Sequence, residues 1–255
     1  MKPFVRDMGL LTGSILELAA LAEERIHAAI RSLCDRKPEA AQRVVRGDAV
    51  VDQMEVRIEE DCLRMLAPHD PVAGDLRRVT AVLKINNELG RAAELAVGIA
   101  ERALALADDP RVIPIPEDLE TMAGVVLAML RDGIDAYAAA DAYLARAVIT
   151  MDHEVDRRHR RILDHLKAVM RARPDRLDAA LELFSAAAHL ERIADHATNI
   201  AEEVIYLKEA TIIRHRTGDV GDARGPAQAA RGPSPKVRRD RDIRPEGLHH
   251  EETAQ

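Results

Sequence analysis

The sequence of this chain repeats itself, and each copy is built from long helical periods. In the first helical stretch, apolar residues recur at spacings of three to five, and the same pattern returns 104 residues later. The matched positions are Leu18, Leu21, Ile26, Ile30 and Leu33 in the first copy, and Met122, Val125, Leu130, Ile134 and Tyr137 in the second. An internal repeat of this length predicts a fold made of two equivalent units.

Charged residues support the repeat more strongly than apolar ones, because helices rich in Ala and Leu match easily by chance. In the second stretch the offset is again 104, and it pairs Asp48, Asp52, Arg57 and Ile58 with Asp152, Asp156, Arg161 and Ile162. In the third stretch the offset is 101, and it pairs Leu89, Arg91, Glu94, Ile99, Ala100 and Glu101 with Leu190, Arg192, Asp195, Ile200, Ala201 and Glu202. A shorter connection in the second copy accounts for the change.

Periodicity and proline positions predict six helices, over about 12–35, 39–66, 72–107, 117–145, 149–171 and 175–215. Hydrophobic residues make up 47% of the chain and aromatic residues only 2%, so the core is aliphatic, as is typical of helical bundles. We expect an all-α fold of two tandem three-helix bundles, related by a pseudo-twofold axis and packed into one elongated unit. The first repeat covers 8–109, a proline-rich linker covers 110–116, and the second repeat covers 117–215.

Residues 217–255 differ in kind from the rest of the chain. They are rich in Gly, Pro and charges of both signs, and they show no apolar period. Such a segment buries too little surface to offset the entropy lost on ordering, which predicts a disordered tail. Its arginine cluster is interleaved with Asp240 and Asp242, which favours a solvated segment over a site for an acidic partner or a membrane.

Charge and hydropathy exclude several classes of protein. The formal net charge of −7 argues against non-specific nucleic-acid binding. No apolar run reaches the length of a membrane-spanning helix, and the N-terminus does not resemble a signal peptide. We therefore expect a cytoplasmic protein that reaches the membrane only through partners. Cys34 and Cys62 lie inside helical patterns and are expected to be reduced.

The most informative segment is the acidic stripe on the last predicted helix. Glu191, Asp195, Asn199 and Glu202 share one face at 100° per residue, opposite an apolar face. Carboxylates one turn apart repel each other unless positive charge lies between them. A hard or borderline cation is one solution, because such oxygens bind Mg, Mn, Fe or Zn. A solvated face with Arg192 as counter-charge is the other.

The histidines near this stripe are predicted to play other roles. His189 and His196 project away from Glu191 and Asp195, which favours packing or solvent exposure over ligation. Sequence signatures of metalloproteases, phosphate-binding glycine loops and nucleophile elbows are missing from the chain.

The segment from Leu190 to Glu202, which reads LERIADHATNIAE, resembles the signature of the PhoU family, in which a Glu/Asp-xxx-Asp pair ends each three-helix repeat. The opening of the third helix at Asp75-Leu76-Arg77 and the Val51-Asp52 pattern on the second helix are also similar to that family. The resemblance covers about residues 8–213. It implies multinuclear metal sites at the paired carboxylates, and a homodimer.

The first repeat departs from the family pattern. Gly90 stands where the first carboxylate is expected, and Glu94 replaces the Asp. Asn87 and Glu101 share the stripe with Glu94 and are candidates to compensate. The resemblance therefore implies one competent metal site, at Glu191 and Asp195, and a weakened or absent one in the first repeat. It does not fix the metal, for which Fe, Zn, Mn and Mg remain open.

Three functions remain open from the sequence. The resemblance implies a regulator that couples the ATPase of the phosphate ABC transporter to the phosphate-sensing histidine kinase and represses the phosphate-starvation response. The second is a metal-binding adaptor of the same fold that serves another transporter or kinase. The third is a carboxylate-bridged metal enzyme, which is disfavoured because the paired Glu-x-x-His motifs of ferritin-like di-iron sites are not supplied.

Overall fold

A computed structural model describes residues 3–67, 73–109 and 113–210 of the chain, apart from the side chains at 3, 48 and 108. Within these ranges the regular structure is helical. The helices are α1 (Pro3–Cys34), α2 (Pro38–Arg46), α3 (Asp48–Leu66), α4 (Ala73–Asp108), α5 (Glu117–Ala139), α6 (Ala142–Ala172) and α7 (Leu177–Glu209), with a 3₁₀ turn at Pro174–Arg176 before α7.

The helices form two three-part bundles in tandem, which confirms the predicted fold class. In the first, α4 packs against α1, α2 and α3; in the second, α7 packs against α5 and α6. The two bundles meet through α4 against α7 and α1 against α5, so the third and first helices of each repeat face their own counterparts. The shared core is aliphatic, as predicted, with Ile15, Leu18, Ile85, Leu89 and Leu183 among its buried members.

Helices α4 and α7 run antiparallel, and their contacts confirm the offset of 101 residues. Lys84 of α4 contacts Glu203 of α7, and Arg102 of α4 contacts Ser185 of α7. Under that offset Lys84 corresponds to Ser185 and Arg102 to Glu203, so each contact is the repeat image of the other. The same register places Ala93 opposite Ala194, both fully buried, and small residues there allow the two helices to approach closely.

The predicted second helix, 39–66, is two helices separated at Gly47. The N–H of Gly47 donates to the carbonyl oxygens of Arg43 and Val44, which ends α2. The guanidinium of Arg25, on α1, donates to the same Val44 carbonyl at 3.0 Å and so adds a second hydrogen bond at the break. Arg25 lies close to Gly47, at 3.2 Å from where a Cβ would stand, so glycine leaves room for it.

The boundary between the fourth and fifth predicted helices was placed too late in the chain. Helix α5 ends at Ala139 and α6 begins at Ala142, whereas the sequence indicated 145 and 149. Ala140 adopts a left-handed conformation with φ of 49°, and the side chain of Asp141 then accepts hydrogen bonds from the N–H groups of Tyr143 and Leu144. An aspartate that caps a helix N-terminus is a sequence signal for a helix start. The prediction from proline positions did not use it.

The start of the first helix also differs from the prediction. Helix α1 begins at Pro3, earlier than the predicted residue 12, and α7 is described to Glu209. The predicted extension of that helix to 215 and the predicted tail at 217–255 lie outside the described residues. None of the described helices is long and apolar enough to cross a bilayer.

Candidate functional site

Four carboxylates face one another across the contact between α6 and α7. Asp152 and Asp156 lie one turn apart on α6, and Glu191 and Asp195 lie one turn apart on α7. Each pair is spaced i, i+4, which places both members on the same side of their helix. We call these four residues the second-repeat cluster; the two on α7 are those that the sequence predicted.

Three carboxylates of the second-repeat cluster, those of Asp152, Glu191 and Asp195, hold protons more tightly than free carboxylates do. Burial, and then the negative charges of Asp195, Asp156 and Asp152, raise the pKa of Glu191. Burial, and then Asp195 and Asp156, raise the pKa of Asp152. Burial also raises the pKa of Asp195, although His196 opposes the shift. Mutual repulsion of this kind is what a bound cation relieves.

The chemistry of this donor set suits a divalent cation, because all four side chains offer hard oxygen atoms on two adjacent helices. Within the described residues, no three His, Cys, Asp or Glu side chains converge on one point as the ligands of a metal would. Metal binding here therefore requires the carboxylates to turn toward a common centre. A cation bound there would neutralise them and bridge α6 and α7.

Asn199 does not join the second-repeat cluster. Its side-chain amide donates to Glu88 of α4 at 3.1 Å, and the Nδ1 of His196 lies 2.7 Å from the same carboxylate oxygen. The helical step from Asp195 to Asn199 turns this residue toward α4, so the predicted stripe divides between two neighbouring helices. Glu202, its last predicted member, is half-buried.

The histidines face the neighbouring repeat and are half-buried; the sequence had left packing and solvent exposure open for them. His196 contacts Glu88 as described above, and His189 packs on Gly98 of α4. A Cβ atom at Gly98 would lie only 2.7 Å from the His189 Nε2 atom. Glycine at position 98 thus leaves the room that the His189 ring occupies between α4 and α7.

The first-repeat candidates Glu94 and Glu101 line a groove between α4 and α7, together with Asn199. The groove has a volume of about 750 Å³. Both glutamates are exposed; Glu94 pairs with Arg91 at 3.1 Å, and Glu101 lies 3.4 Å from the Arg102 guanidinium. These arginines already supply part of the positive charge that the sequence assigned to a metal.

Another first-repeat carboxylate, Glu55 of α3, was not identified from the sequence. It lies against Gly90 so closely that a Cβ atom built on that glycine would overlap the Glu55 carboxylate. Burial, and then the charges of Asp52 and Glu59, raise the pKa of Glu55 to about 7, with Arg91 opposing the shift. At Gly90, therefore, the carboxylate of Glu55 on α3 packs directly against the backbone of α4.

Repeat alignment offered a signal for the residues that sequence reasoning did not rank. Asp152 and Asp156 match Asp48 and Asp52 at the offset of 104, so the same acidic pair with a spacing of four occurs in both repeats. For Glu55 the signal is weaker, because its importance depends on the contact between α3 and Gly90. Helical periodicity assigns a residue to a face but does not identify the helix that packs there.

The raised pKa values predict a pH-dependent effect of Asp195→Asn in metal-free protein. A carboxyl group whose pKa is higher in the folded than in the unfolded state destabilises the fold as pH rises through those values. Because the substitution removes a charge that repels Glu191 and Asp152, we expect it to stabilise the protein at pH 8. The gain, about 0.5–1 kcal/mol after solvent screening, should shrink at pH 5.

Thermal unfolding in EDTA at both pH values measures this difference. Asp132→Asn on α5 is the control, since it makes the same chemical change away from the cluster. A stabilisation that is equal at the two pH values, or equal in the control, would contradict the repulsion inferred for the cluster.

Comparison with known proteins places these features in a family. The family model described as the PhoU domain matches twice, at residues 15–103 and 119–204, which correspond to the two bundles. A PhoU homolog from Aquifex aeolicus, named as a phosphate-specific transport system accessory protein, is 37% identical over 177 residues, or 69% of this chain and 80% of the relative. The homolog from Caulobacter vibrioides strain NA1000 is 34% identical over 74% of this chain and 83% of its own length.

Solved structures agree with the sequence comparisons. The crystal structure of PhoU from Pseudomonas aeruginosa matches with a TM-score of 0.79 and 33% identity, over 82% of this chain and 100% of that one. A phosphate transport system regulatory protein PhoU from Streptococcus pneumoniae matches with a TM-score of 0.76 and 26% identity, over 82% and 98%. Two domain matches, relatives above 30% identity and the shared fold together show that this chain belongs to the PhoU family.

Proposed function

We propose that this chain regulates phosphate uptake and signalling by coupling the ATPase of the phosphate ABC transporter to the phosphate-sensing histidine kinase. In this role it keeps the phosphate-starvation response repressed while phosphate is plentiful. The observation that carries the proposal is the likeness, over both repeats, to proteins named as accessory proteins of the phosphate-specific transport system. That name describes a role beside the transporter, so we propose a regulatory and non-enzymatic function.

Docking of helix surfaces is the mechanism that suits this architecture. The described chain offers long helices with polar outer faces and a polar groove between α4 and α7. We propose that the protein acts as a homodimer and contacts its partners through such surfaces.

Metal binding forms a separate part of the proposal. We propose that the second-repeat cluster holds a divalent or transition metal ion, among Fe, Zn, Mn and Mg, with Glu191 and Asp195 as ligands from α7. Asp152 and Asp156 face them from α6, and all four carry hard oxygen donors. An ion there stiffens the contact between α6 and α7 and fixes the surface that those helices present to partners.

Deleting the gene tests the regulatory role. We expect phosphate-starvation genes to be expressed in phosphate-rich medium in the deletion strain, because the repressing contact is lost. A reporter fused to a starvation promoter measures the response, and a plasmid copy of the wild-type gene is the control that should restore repression. Unchanged reporter activity would overturn the regulatory role and direct the search to another transporter or kinase as the client.

A further inference from the structure

The start of α7 exposes a stripe of large apolar side chains. Leu177, Leu181 and Phe184 are 45%, 48% and 37% exposed. Their spacing of four and then three residues places them on one side of the helix. Exposed apolar side chains that form a continuous stripe, unlike scattered ones, are typical of an interaction surface. We call the side of the α6–α7 pair that carries this stripe the α6–α7 face.

The second-repeat cluster lies at one end of the α6–α7 face. Glu191 follows Phe184 by seven residues and Asp195 follows it by eleven, so both project on the side of α7 that carries the apolar stripe. The four carboxylates of the cluster outnumber the basic groups beside them, which are Arg192 and the Arg160 guanidinium paired with α6. This end of the face is therefore acidic.

The other end of the face, where α6 leads into α7, is basic. Arg171, Arg173 and Arg176 lie within a span of six residues. Two acidic groups lie beside them. Asp175 pairs with Arg173 at 3.0 Å, and Asp178 lies in the first turn of α7, where the helix dipole stabilises a negative charge. The three arginines outnumber these two aspartates, so the charge that remains is positive.

The basic and acidic ends lie at matching distances from Phe184. Arg173 precedes Phe184 by eleven residues, and Asp195 follows it by eleven. Arg176 precedes it by eight residues, and Glu191 follows it by seven. At a rise of 1.5 Å per residue, these separations are about 16 Å and about 11 Å along the helix. A surface with opposite charges on either side of its centre is complementary to a copy of itself turned through 180°.

We propose that two copies of this chain associate through the α6–α7 face about a twofold axis at Phe184, so that the basic end of each copy contacts the second-repeat cluster of the other. The axis brings the two Phe184 rings together. It also places Leu181 of each copy level with Ala188 of the other, because these residues lie three before and four after Phe184. Burial of the apolar stripe supplies affinity, and the charges fix the antiparallel orientation.

The charged groups at both ends are available for such a contact. Arg173 and Asp175 are both exposed, so water already screens their pair and little free energy is lost when it opens. The carboxylates of the second-repeat cluster repel one another, and guanidinium groups from a second copy relieve that repulsion as a cation does. The metal ion proposed above and the second copy therefore draw on the same carboxylates.

This inference deepens the proposed function, from which it takes the homodimer and to which it adds the contact surface. The two fail differently. A dimer that survives changes on the α6–α7 face would contradict the assigned surface and leave the homodimer standing. The regulatory role is tested separately, by the starvation reporter.

Analytical ultracentrifugation of full-length protein in EDTA, which removes divalent cations from the cluster, measures dissociation of the dimer. We expect Phe184→Asp to raise the dissociation constant at least about tenfold, because it places two like charges at the twofold axis. Leu63→Asp on α3 is the matched control, since Leu63 is also exposed and lies outside the face. It should leave the dissociation constant unchanged. The thermal midpoint of each variant establishes that it is folded.

Charge reversal tests the antiparallel orientation. One variant carries Arg173→Glu with Arg176→Glu, and a second carries Glu191→Lys with Asp195→Lys. Each should dimerise poorly alone, with a dissociation constant raised at least about tenfold, because like charges then meet at both ends of the interface. An equimolar mixture of the two places opposite charges at both ends again. We therefore expect the mixture to form heterodimers with nearly the affinity of the wild type.

Three results would overturn the inference. The first is a wild-type protein that stays monomeric, which would leave the face to another partner. The second is a Phe184→Asp variant that dissociates no more readily than Leu63→Asp. The third is a mixture of the two charge-reversed variants that dimerises no better than either variant alone.

Discussion

Replacing Lys84 by Met is expected to lower the stability of the protein by about 2–4 kcal/mol, because it removes the ammonium group that pairs with the buried carboxylate of Glu203. The Glu203 side chain is 3% exposed, and both of its oxygen atoms lie 3.0 Å from the Lys84 Nζ atom. Methionine is similar in length to lysine, so packing changes little. For a domain of this size the loss corresponds to a fall of about 5–15 °C in the thermal midpoint.

The repeat supplies a matched control at the other end of the same helix contact. Arg102 corresponds to Glu203, and it pairs across to Glu182 at 2.9 Å, where both side chains are about one-third exposed. Because solvent reaches the partly exposed side chains of this pair and screens it more than the Lys84–Glu203 pair, Arg102→Met should have the smaller effect. If both variants lost the same amount of stability, other contacts of Glu203 would stabilise its charge when Lys84 is removed.

A double substitution completes the cycle. Lys84→Met combined with Glu203→Met removes both charges, and a well-packed apolar pair is often as stable as the ion pair that it replaces. We therefore expect the double variant to recover most of the stability lost in Lys84→Met. Urea unfolding gives the three free energies, and a double variant no more stable than the single one would place the cost in packing and not in the buried charge.

The architecture was predictable because two signals agreed. Apolar periods gave the number of long helices, and charged residues at constant offsets gave the repeat. The contacts of Lys84 with Glu203 and of Arg102 with Ser185 confirm the second offset, which rested on matches such as Arg91 with Arg192. Repeated charge is informative because nothing in an apolar helical period requires it.

Helix ends were less predictable where no proline marks them. The turn at Ala140 requires a left-handed backbone conformation, which alanine rarely adopts, so the residue type did not predict the turn. The capping aspartate that follows it was readable, but one N-cap residue among many acidic residues is a weak signal. Gly47 was a stronger signal for a helix end. The break between α2 and α3 at this glycine also involves Arg25 of α1, which donates a hydrogen bond to the Val44 carbonyl.

The candidate site was predictable for one helix at a time. Glu191 and Asp195 follow from spacing, yet their partners on α6 and the diversion of Asn199 to Glu88 depend on how three helices pack. The contact of Glu55 with Gly90 is of the same kind. A glycine in a helix looks like a missing ligand until the neighbouring side chain that fills its space is known.

Alanine substitution of both Glu191 and Asp195 is expected to abolish metal binding at the second repeat. Two carboxylates of the second-repeat cluster are removed, and Asp152 and Asp156 alone lie on one face of α6, without donors from α7. We expect metal affinity to fall by at least about a hundredfold when both α7 ligands are removed. Loss of a group that only supports a metal ligand already lowers affinity about ten- to a hundredfold. The wild-type protein should hold correspondingly more metal per chain.

Elemental analysis of protein purified without chelator, followed by loading with Fe, Zn, Mn or Mg, measures the difference. Asp132→Ala with Asp135→Ala on α5 is the control, because it removes the same amount of charge from another helix. Metal that is retained in the control and reduced in the Glu191 and Asp195 variant places an ion between α6 and α7.

Equal metal content in all of these proteins, including none in any of them after loading, would contradict a metal site at the second-repeat cluster. The carboxylates would then remain mutually repelling at neutral pH, and the raised pKa values of Asp152, Glu191 and Asp195 would have no cation to offset them. Solvent at the exposed Asp195 and the nearby guanidinium of Arg192, which lowers the pKa of both Glu191 and Asp195, would then offset part of the repulsion. That result would favour the solvated face with Arg192 as counter-charge over a metal site, or a surface that a basic docking partner covers.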